Sequence, residues 1–380
     1  MDLQDLRREI DAVDGQMVSL FAQRMALCEQ VAAYKKEHNL PVLDTGRERE
    51  KLENIAAQLP EELEEAGITL YSLLFELSRS RQHALLGRGN ALTEGIQKAL
   101  RETEQLFPAK ARVACQGVEG AYSQLACEKL FQRGDVLYFD SFNAVFSAIE
   151  SGLCRYGLIP LENSTAGSVN QVYDLMMRHD FRIVRSVRLK VDHDLLAKPG
   201  VELSEIRTIC SHEQALNQCS NFLAQHPEIQ VVRCANTAQA ARMVAESDRR
   251  DMAALSSHRC AQIYGLHPLA TACQDQANNY TRFICISRDL EIYPGADRTS
   301  LMATLPHKPG ALYKLLARFY ALGINLNKLE SRPLPGREFE FMFYFDLEHS
   351  VYDPQFIRLL GELEGVCEEF TYLGSYSEVI

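Results

Sequence analysis

The chain reads as three segments of different architecture: an all-α segment, a two-lobed α/β segment and a closing α+β segment. Three observations lead there. From Leu3 to about His38 the chain has no Pro, a single Gly at position 15, and a heptad-like apolar seam. From Arg112 to about Ser287, short apolar runs alternate with amphipathic stretches. From Asp297 onward, apolar runs and helical patterns follow the order βαββαβ. A chain of 380 residues is too long for one core, which agrees with two or three domains.

Composition narrows the function classes. A net charge of -11 argues against a general nucleic-acid binder, which needs a basic face. The start, Met1-Asp2-Leu3-Gln4-Asp5-Leu6-Arg7-Arg8, is charged, and no apolar run approaches membrane-spanning length. Eleven cysteines are scattered without Cys-x-x-Cys and without His pairs at ligand spacing. Reduced thiols in a cytoplasmic protein fit this pattern better than disulfides or zinc. Neither a metal nor a cofactor is implied.

In the first segment the seam runs Leu6, Ile10, Val13, Met17, Leu20, then Leu27, Val31 and Tyr34, stepping alternately by four and three. Arg24 stands where the seam needs an apolar residue. A cation there is costly unless paired, so something anionic is expected against it; an acidic neighbour or solvent is the plainer reading. Pro41 is expected to end this helix. A second helix begins at Arg47-Glu48-Arg49-Glu50-Lys51-Leu52, and a third spans Leu70 to Leu86. At ~1.5 Å per residue the first helix exceeds ~50 Å, more than two short helices can cover, so the seam predicts pairing with a second copy of the chain.

Arg7, Arg24, Lys35, Asp44, Arg47, Glu48, Ser78 and Gln82 match, in order and spacing, the active-site pattern of the all-helical chorismate mutases, which about the first ninety residues resemble. That reaction is a pericyclic rearrangement of chorismate to prephenate. It needs a dianion held in a compact conformer and stabilisation of charge on the ether oxygen. The resemblance implies that Lys35 and Gln82 address the ether oxygen. It assigns Arg7, Arg24 and Arg47 to the carboxylates, Asp44 and Glu48 to the hydroxyl, and Ser78 to the substrate-binding set. Arg49, Glu50 and Lys51 read as a solvated helix face. Gly87-Arg88-Gly89-Asn90 breaks the third helix, and Thr93 to Phe107 reads as a linker helix.

In the second segment, strand-like runs are Val113-Ala114, Val136 to Phe139, Tyr156 to Ile159, Ile183-Val184, Ile206 to Cys210, Val231-Val232, Met252 to Leu255 and Phe283 to Ile286. Arg112 to Cys115 and Arg207 to Cys210 each precede a polar turn and a helix, which suggests two lobes with a cleft beyond the strand ends. The stretch from Leu158 to Val169 reads as a strand stopped by Pro160, a polar turn and a helix start, hence an anion site or simply a Ser/Asn cap.

Five phrases together resemble prephenate dehydratase: Gly120-Ala121-Tyr122-Ser123, Glu162-Asn163-Ser164 with Gly167, Ser211-His212-Glu213-Gln214-Ala215-Leu216, Asn236-Thr237-Ala238, and Asn279-Tyr280-Thr281-Arg282-Phe283. Where the family usually has Gly-Pro before the first phrase, this chain has Gly117-Val118. The resemblance implies a two-lobed, periplasmic-binding-protein-like fold and points to Thr281 as proton donor to the leaving hydroxyl. Arg282, the neighbour in sequence, is a candidate to polarise it. Glu162 is the chemical alternative, as a carboxyl of raised pKa. Asn163, Ser164, Ser211, Gln214 and Thr237 read as substrate-orienting donors. His212, beside a helix start, reads as structural more readily than catalytic.

The third segment is expected to run strand Ser300 to Leu305, helix Pro309 to Ala321, strands Asn325 to Ser331 and Phe339 to Leu347, helix Pro354 to Leu363 and strand Cys367 to Leu373, a ferredoxin-like order. Pro309-Gly310-Ala311-Leu312 and Glu330-Ser331-Arg332-Pro333 resemble the regulatory ACT domains of dehydratases. That resemblance makes Gly310, Ala311, Leu312, Glu330 and Ser331 candidate binders of a free amino acid; a plain dimerisation module is the other reading.

Taken together the chain resembles the bifunctional chorismate mutase–prephenate dehydratases. The expected boundaries are 1–90 mutase, 91–110 linker, 111–290 dehydratase and 297–380 regulatory domain. Chorismate and prephenate are the expected substrates and phenylalanine the effector, in a homodimer or higher homo-oligomer with no nucleic-acid or membrane partner. Removing residues from about Asp297 should then abolish inhibition and spare activity. An amino-acid-responsive binding protein, or a chain keeping one of the two activities, is the alternative.

Overall fold

The computed structural model describes residues 2–38, 40–86, 91–338, 340–364 and 366–380. They form two compact units, one of Met1–Glu94, Leu305–Ile324 and Pro354–Glu369, the other of Gly95–Thr304, Asn325–Asp353 and Phe370–Ile380.

The first unit is helical. Its first helix, Leu3–Glu37, starts on an Asp2 capping box in which Asp2 and Asp5 satisfy each other's backbone N–H groups. It stops at Glu37, ahead of Pro41, with the His38 N–H bonded to Tyr34. Asp44 caps the second helix, Thr45–Ala56, by accepting from the Arg47 N–H at 3.0 Å. The third helix, Glu64–Leu86, packs against the first, the second and the helix Pro354–Leu363. The break expected at 87–90 lies outside the described residues. The seam of the first helix stays uncovered: Leu20 is 62% and Leu27 59% exposed. The helix Ala311–Ala321 opens on Gly310, whose φ of 78° is left-handed and favours glycine.

The second unit holds three sheets. One has the order Glu378–Val379, Arg182–Lys190, Tyr280–Ser287, Tyr156–Asn163, Lys110–Gln116, Arg133–Phe139, with Gly167–Ser168 added to the fourth strand. The second runs His267–Ala270, Asp194–Ala197, Met252–Ser256, Thr208–His212, Gln230–Cys234. These are the two lobes. The strands Asp194–Ala197 and His267–Ala270 escape a sequence reading because both are four residues long and neither alternates. The third sheet, Asn325–Pro333, Phe341–Glu348, Arg298–Thr304, Glu369–Tyr376, has the 2-3-1-4 order of a ferredoxin-like chain path. Its residues Met302, Met342, Tyr344, Leu373 and Tyr376 share one core with Phe146, Tyr173 and Ile284 of the first sheet. Gly374 passes so close to that sheet that a Cβ would lie 2.2 Å from the Ile183 carbonyl oxygen.

Pro160 does not stop its strand, which continues to Asn163. Pairing with Lys110–Gln116 ends at Leu158, and a bulge opposite Phe283 interrupts the other ladder, so no partner demands the N–H that Pro160 lacks. Nor does a helix start on the polar turn. Residues 163–168 fold back as a hairpin, Asn163 pairing with Gly167, and the next helix, Asn170–Met176, starts on Val169 without a side-chain cap. Neither the anion site nor the Ser/Asn cap expected there is built.

Candidate active sites

Seven of the eight residues matching the mutase pattern meet at one cavity in the helical unit. It has a volume of about 290 Å³ and is lined by Arg24, Lys35, Asp44, Arg47, Glu48, Ser78 and Gln82, together with Lys51, Arg79 and apolar residues. Five cations (Arg24, Lys35, Arg47, Lys51, Arg79) thus face two carboxylates (Asp44, Glu48), an excess suited to a dianion. Lys51, expected on a solvated face, and Arg79, absent from the sequence pattern, are additions. Arg7 is exposed and does not line the cavity.

Several of the wall residues have a physical anchor. Arg24 donates to the Leu74 carbonyl at 3.2 Å and to the Ser78 hydroxyl, and its guanidinium lies 5.6 Å from the centre of the Phe75 ring. Among the described residues it makes no ion pair, so none of their side chains supplies the anion expected against it. Ser78 in turn donates to Leu74 O at 2.6 Å. Lys35 is held by the Val42 carbonyl at 2.6 Å. The Gln82 Oε1 is buried without a hydrogen-bond partner, a group that a bound molecule could satisfy.

The second cavity, about 600 Å³, opens between the two lobes of the second unit. Thr165, Ala166 and Asn279 line it from one side, and His212, Gln214, Asn217 and Gln218 from the other. Behind this lining lies a network of amides and hydroxyls. Asn163 donates from Nδ2 to Asn279 Oδ1 at 2.8 Å and to Thr281 Oγ1 at 2.9 Å. Its Oδ1 accepts from the Thr165 hydroxyl at 2.7 Å and the Ala166 N–H at 2.9 Å. Gln218 crosses from the other lobe, donating to Thr165 Oγ1 at 2.8 Å and accepting from Asn279 Nδ2 at 3.0 Å. Thr281 is half-buried and is not among the residues that line the cavity. Its oxygen accepts from Asn163, and its own proton has no recorded acceptor among the described residues.

Adjacent residues on a strand point to opposite faces, and this divides the expected site in two. Asn163 pairs with Thr281 and Glu162 with Arg282 across the same two strands. The first pair faces the cleft network. The second faces the third sheet. There Glu162 accepts from Lys328 Nζ at 2.8 Å and from Arg282 Nη1 at 3.4 Å. Arg282 is bound to Asp346 and donates to the Tyr376 hydroxyl at 3.0 Å.

Two expectations fail on this geometry. Arg282 cannot polarise Thr281 or touch a cleft ligand, because its guanidinium is buried on the far side. Glu162 is not an acid of raised pKa. Burial pushes its carboxyl up, but the Lys328 hydrogen bond and the charges of Lys328 and Arg282 outweigh that and hold it below the ordinary value.

Other expected donors are committed elsewhere. Ser211 is fully buried and donates to the Leu255 carbonyl at 2.6 Å, so it braces the second sheet instead of meeting a ligand. Ser164 clips the hairpin to the facing loop, donating to Asn278 O and accepting from Tyr280 N, both at 2.9 Å. Thr237 begins the helix Thr237–Glu246 behind its Asn236 cap and is absent from the cavity lining. His212 accepts from the Gln214 N–H at 3.3 Å as a helix cap, the structural role. Gln214 does line the cavity. Glu330 takes the Ser168 hydroxyl at 2.5 Å, on the face of its strand that carries Lys328 and Arg332; Ser331 lies exposed on the other face. Glu330 and Ser331 therefore cannot contact one ligand from the same side. Gln218 and Thr165 carry no sequence signal of their own, whereas Asn279 belongs to the phrase Asn279-Tyr280-Thr281-Arg282-Phe283.

A cationic helical cavity suited to a small anion and an amide-rich cleft between two α/β lobes define a protein with two separate small-molecule sites. Residues 6–83 match the family model described as chorismate mutase type II, and residues 113–291 match prephenate dehydratase. The bifunctional chorismate mutase/prephenate dehydratase of Escherichia coli K12 is 32% identical, over 98% of this chain and 95% of that protein. The chloroplastic arogenate dehydratase/prephenate dehydratase 2 of Arabidopsis thaliana is 37% identical, over 80% of this chain and 87% of its own. A solved prephenate dehydratase from Arthrobacter aurescens, in complex with L-Phe, superposes with a TM-score of 0.65 at 30% identity, covering 70% of this chain and 89% of that one. The chain belongs to the bifunctional chorismate mutase/prephenate dehydratase family. It is an isomerase and a carbon–oxygen lyase in one polypeptide, acting on chorismate and then on prephenate.

Proposed function

We propose that the helical cavity is the mutase site and that the Asn163–Thr281 pair serves the dehydratase. Arg24 and Arg47 take the substrate carboxylates, with Arg7 supplied by a second copy. Lys35 and Gln82 stabilise negative charge on the ether oxygen, while Asp44 and Glu48 orient the hydroxyl. The observation that carries this reading is Arg24, a cation in the cavity wall whose recorded hydrogen-bond partners are neutral.

In the dehydratase step the bond from the ring to its carboxylate breaks, and its electron pair enters the ring. The opposite hydroxyl leaves as water with a proton from Thr281, giving phenylpyruvate and CO2. The Asn163 N–H, aimed at Thr281 Oγ1, stabilises the oxygen as the proton departs, and solvent then restores that proton. Gln214, Asn279 and Gln218 orient the substrate.

The segment from 297 to 380 is a regulatory ACT domain, following mutase (1–90), linker (91–110) and dehydratase (111–290). Phenylalanine binds at Gly310-Ala311-Leu312 and inhibits the dehydratase; the complex of the Arthrobacter aurescens relative with L-Phe supports that choice of effector. The chain works in the cytoplasm as a homodimer or higher homo-oligomer; among the described residues no helix is long and apolar enough to cross a membrane. The test is a two-stage assay. Arg24→Ala should abolish prephenate formation from chorismate and leave phenylpyruvate formation from added prephenate; loss of both, or of neither, would overturn the assignment.

A further inference from the structure

Within the helical unit an ionic chain starts at the mutase cavity, passes through the helix Ala311–Ala321 and ends on the helix Pro354–Leu363. Arg79 is its centre. Its side chain is 13% exposed, and its two terminal nitrogens diverge, Nη1 to Glu48 Oε1 and Nη2 to Glu76 Oε1. Glu76 gives its other oxygen to Arg318 Nη2 at 2.7 Å, and Arg318 Nη1 lies 3.7 Å from Glu362. Burial works against the Glu76 charge, but the Arg318 hydrogen bond and the charges of Arg79 and Arg318 outweigh it and hold the carboxyl below its ordinary value. Every member from Arg79 to Glu362 is at most 13% exposed.

We propose that Arg79 is a positioning residue of the mutase site, fixing Glu48, and that Arg318 fixes Arg79 through Glu76. This rests on the reading of the cavity as the mutase site. Glu48 is 29% exposed and shares the cavity with Lys35, Arg47 and Lys51. Released from Arg79, its carboxylate would turn toward those cations and neutralise charge that the substrate dianion needs. Held by Arg79, it stays at the wall and presents an acceptor to the substrate hydroxyl. A planar guanidinium grips two carboxylates on two nitrogens at once, whereas a lysine at this position could grip only one firmly.

The test is steady-state mutase kinetics on the full-length protein. Arg79→Met should lower kcat/KM for chorismate by about tenfold, chiefly through KM, because a released Glu48 would neutralise the cations that bind the substrate dianion. In a Glu48→Gln background the same substitution should change little, since a residue acting through Glu48 has nothing left to position. Arg318→Met should give a smaller loss in the same direction, absent when Arg79→Met is already present. Arg79→Lys keeps a cation in the buried site and tests the proposal even where the methionine variant folds poorly. It should keep the wild-type melting midpoint yet recover only part of kcat/KM. Effects of Arg79 and Glu48 that multiply, or an Arg79→Lys variant at full kcat/KM, would overturn the proposal while leaving the mutase site in place. Wild-type protein without chorismate turnover would overturn the site reading and the proposal with it.

Discussion

Thr281 Oγ1 accepts a hydrogen bond from Asn163 Nδ2 at 2.9 Å, and the two residues are direct partners across antiparallel strands. A threonine hydroxyl is a weak acid, and a donor aimed at its oxygen is what makes loss of its proton cheaper. Thr281→Ala should reduce phenylpyruvate formation by a factor on the order of 10² or more, and Asn163→Ala by at least about tenfold. Both variants should still convert chorismate to prephenate. Normal dehydratase turnover in Thr281→Ala would move the proton donor elsewhere in the cleft.

Glu162, on the reverse face of the same strand, should behave differently. Glu162→Gln leaves the cleft network intact, so dehydratase turnover stays of the wild-type order; a loss matching that of Thr281→Ala would return Glu162 to the chemistry. Its signature is in stability against pH. The folded carboxyl ionises below its ordinary value of about 4.5. The stabilisation from Lys328 and Arg282 is therefore complete above that value and lost as pH falls through the lower folded one. The melting gap between wild type and Glu162→Gln should be full near neutrality and close below roughly pH 4. A gap unchanged to roughly pH 3 would show that Glu162 is not stabilised by those charges.

Asp346 is fully buried against the Arg282 guanidinium. Removing Asp346 leaves the buried Arg282 with only the longer Glu162 contact, so Asp346→Ala should destabilise this unit by about 3 kcal/mol in denaturant unfolding. The same contact bears on truncation at Asp297. That cut removes Asp346, Tyr376 and the strand Glu378–Val379, which pairs with Arg182–Lys190 in the dehydratase sheet. The truncated chain should aggregate or lose dehydratase activity, contrary to the expectation that it is spared. A soluble truncation with full turnover would show these contacts to be dispensable.

The helical cavity was legible in sequence because isolated cations on amphipathic helices, such as Arg24 in its apolar seam, have no packing reason to be there. Arg79 was not legible. It sits in Ser78-Arg79-Ser80-Arg81, where nothing local separates a buried arginine from a solvated one; its partners come from positions 48 and 76. The dehydratase phrases contain Asn163 and Thr281, which the fold pairs across two strands, but their neighbours turn the other way. Glu162 and Arg282 are adjacent in sequence to the cleft residues and opposite to them in space, as period-two alternation requires. Because the strand runs through Pro160 to Asn163, the alternation extends to Glu162 and Asn163. Lys328 and Asp346 were beyond reach, since only the tertiary packing of the third sheet brings them to Glu162 and Arg282.

The uncovered seam predicts that mutase sites are shared between copies. Arg7 and Arg24 lie on one helix, seventeen residues and so ~25 Å apart at ~1.5 Å per residue. Helical side chains lean toward the N-terminus, so Arg24 leans toward Arg7 but Arg7 leans away, and the two cannot close on one compact molecule. Arg24 lines the cavity with Lys35 and Arg7 does not. An antiparallel partner helix laid along the uncovered seam would bring its own Arg7 to that end, making two equivalent sites, each with Arg24 from one chain and Arg7 from the other. Arg7→Ala and Arg24→Ala homodimers should then each lose most mutase activity. Unfolded together and refolded as an equal mixture, half the dimers should be mixed, and each mixed dimer regains one intact site of two. Recovered activity should approach roughly a quarter of wild type. If mixed dimers form, as shown by differential tagging, and no activity returns, Arg7 does not complete the partner's site and symmetric sharing is wrong.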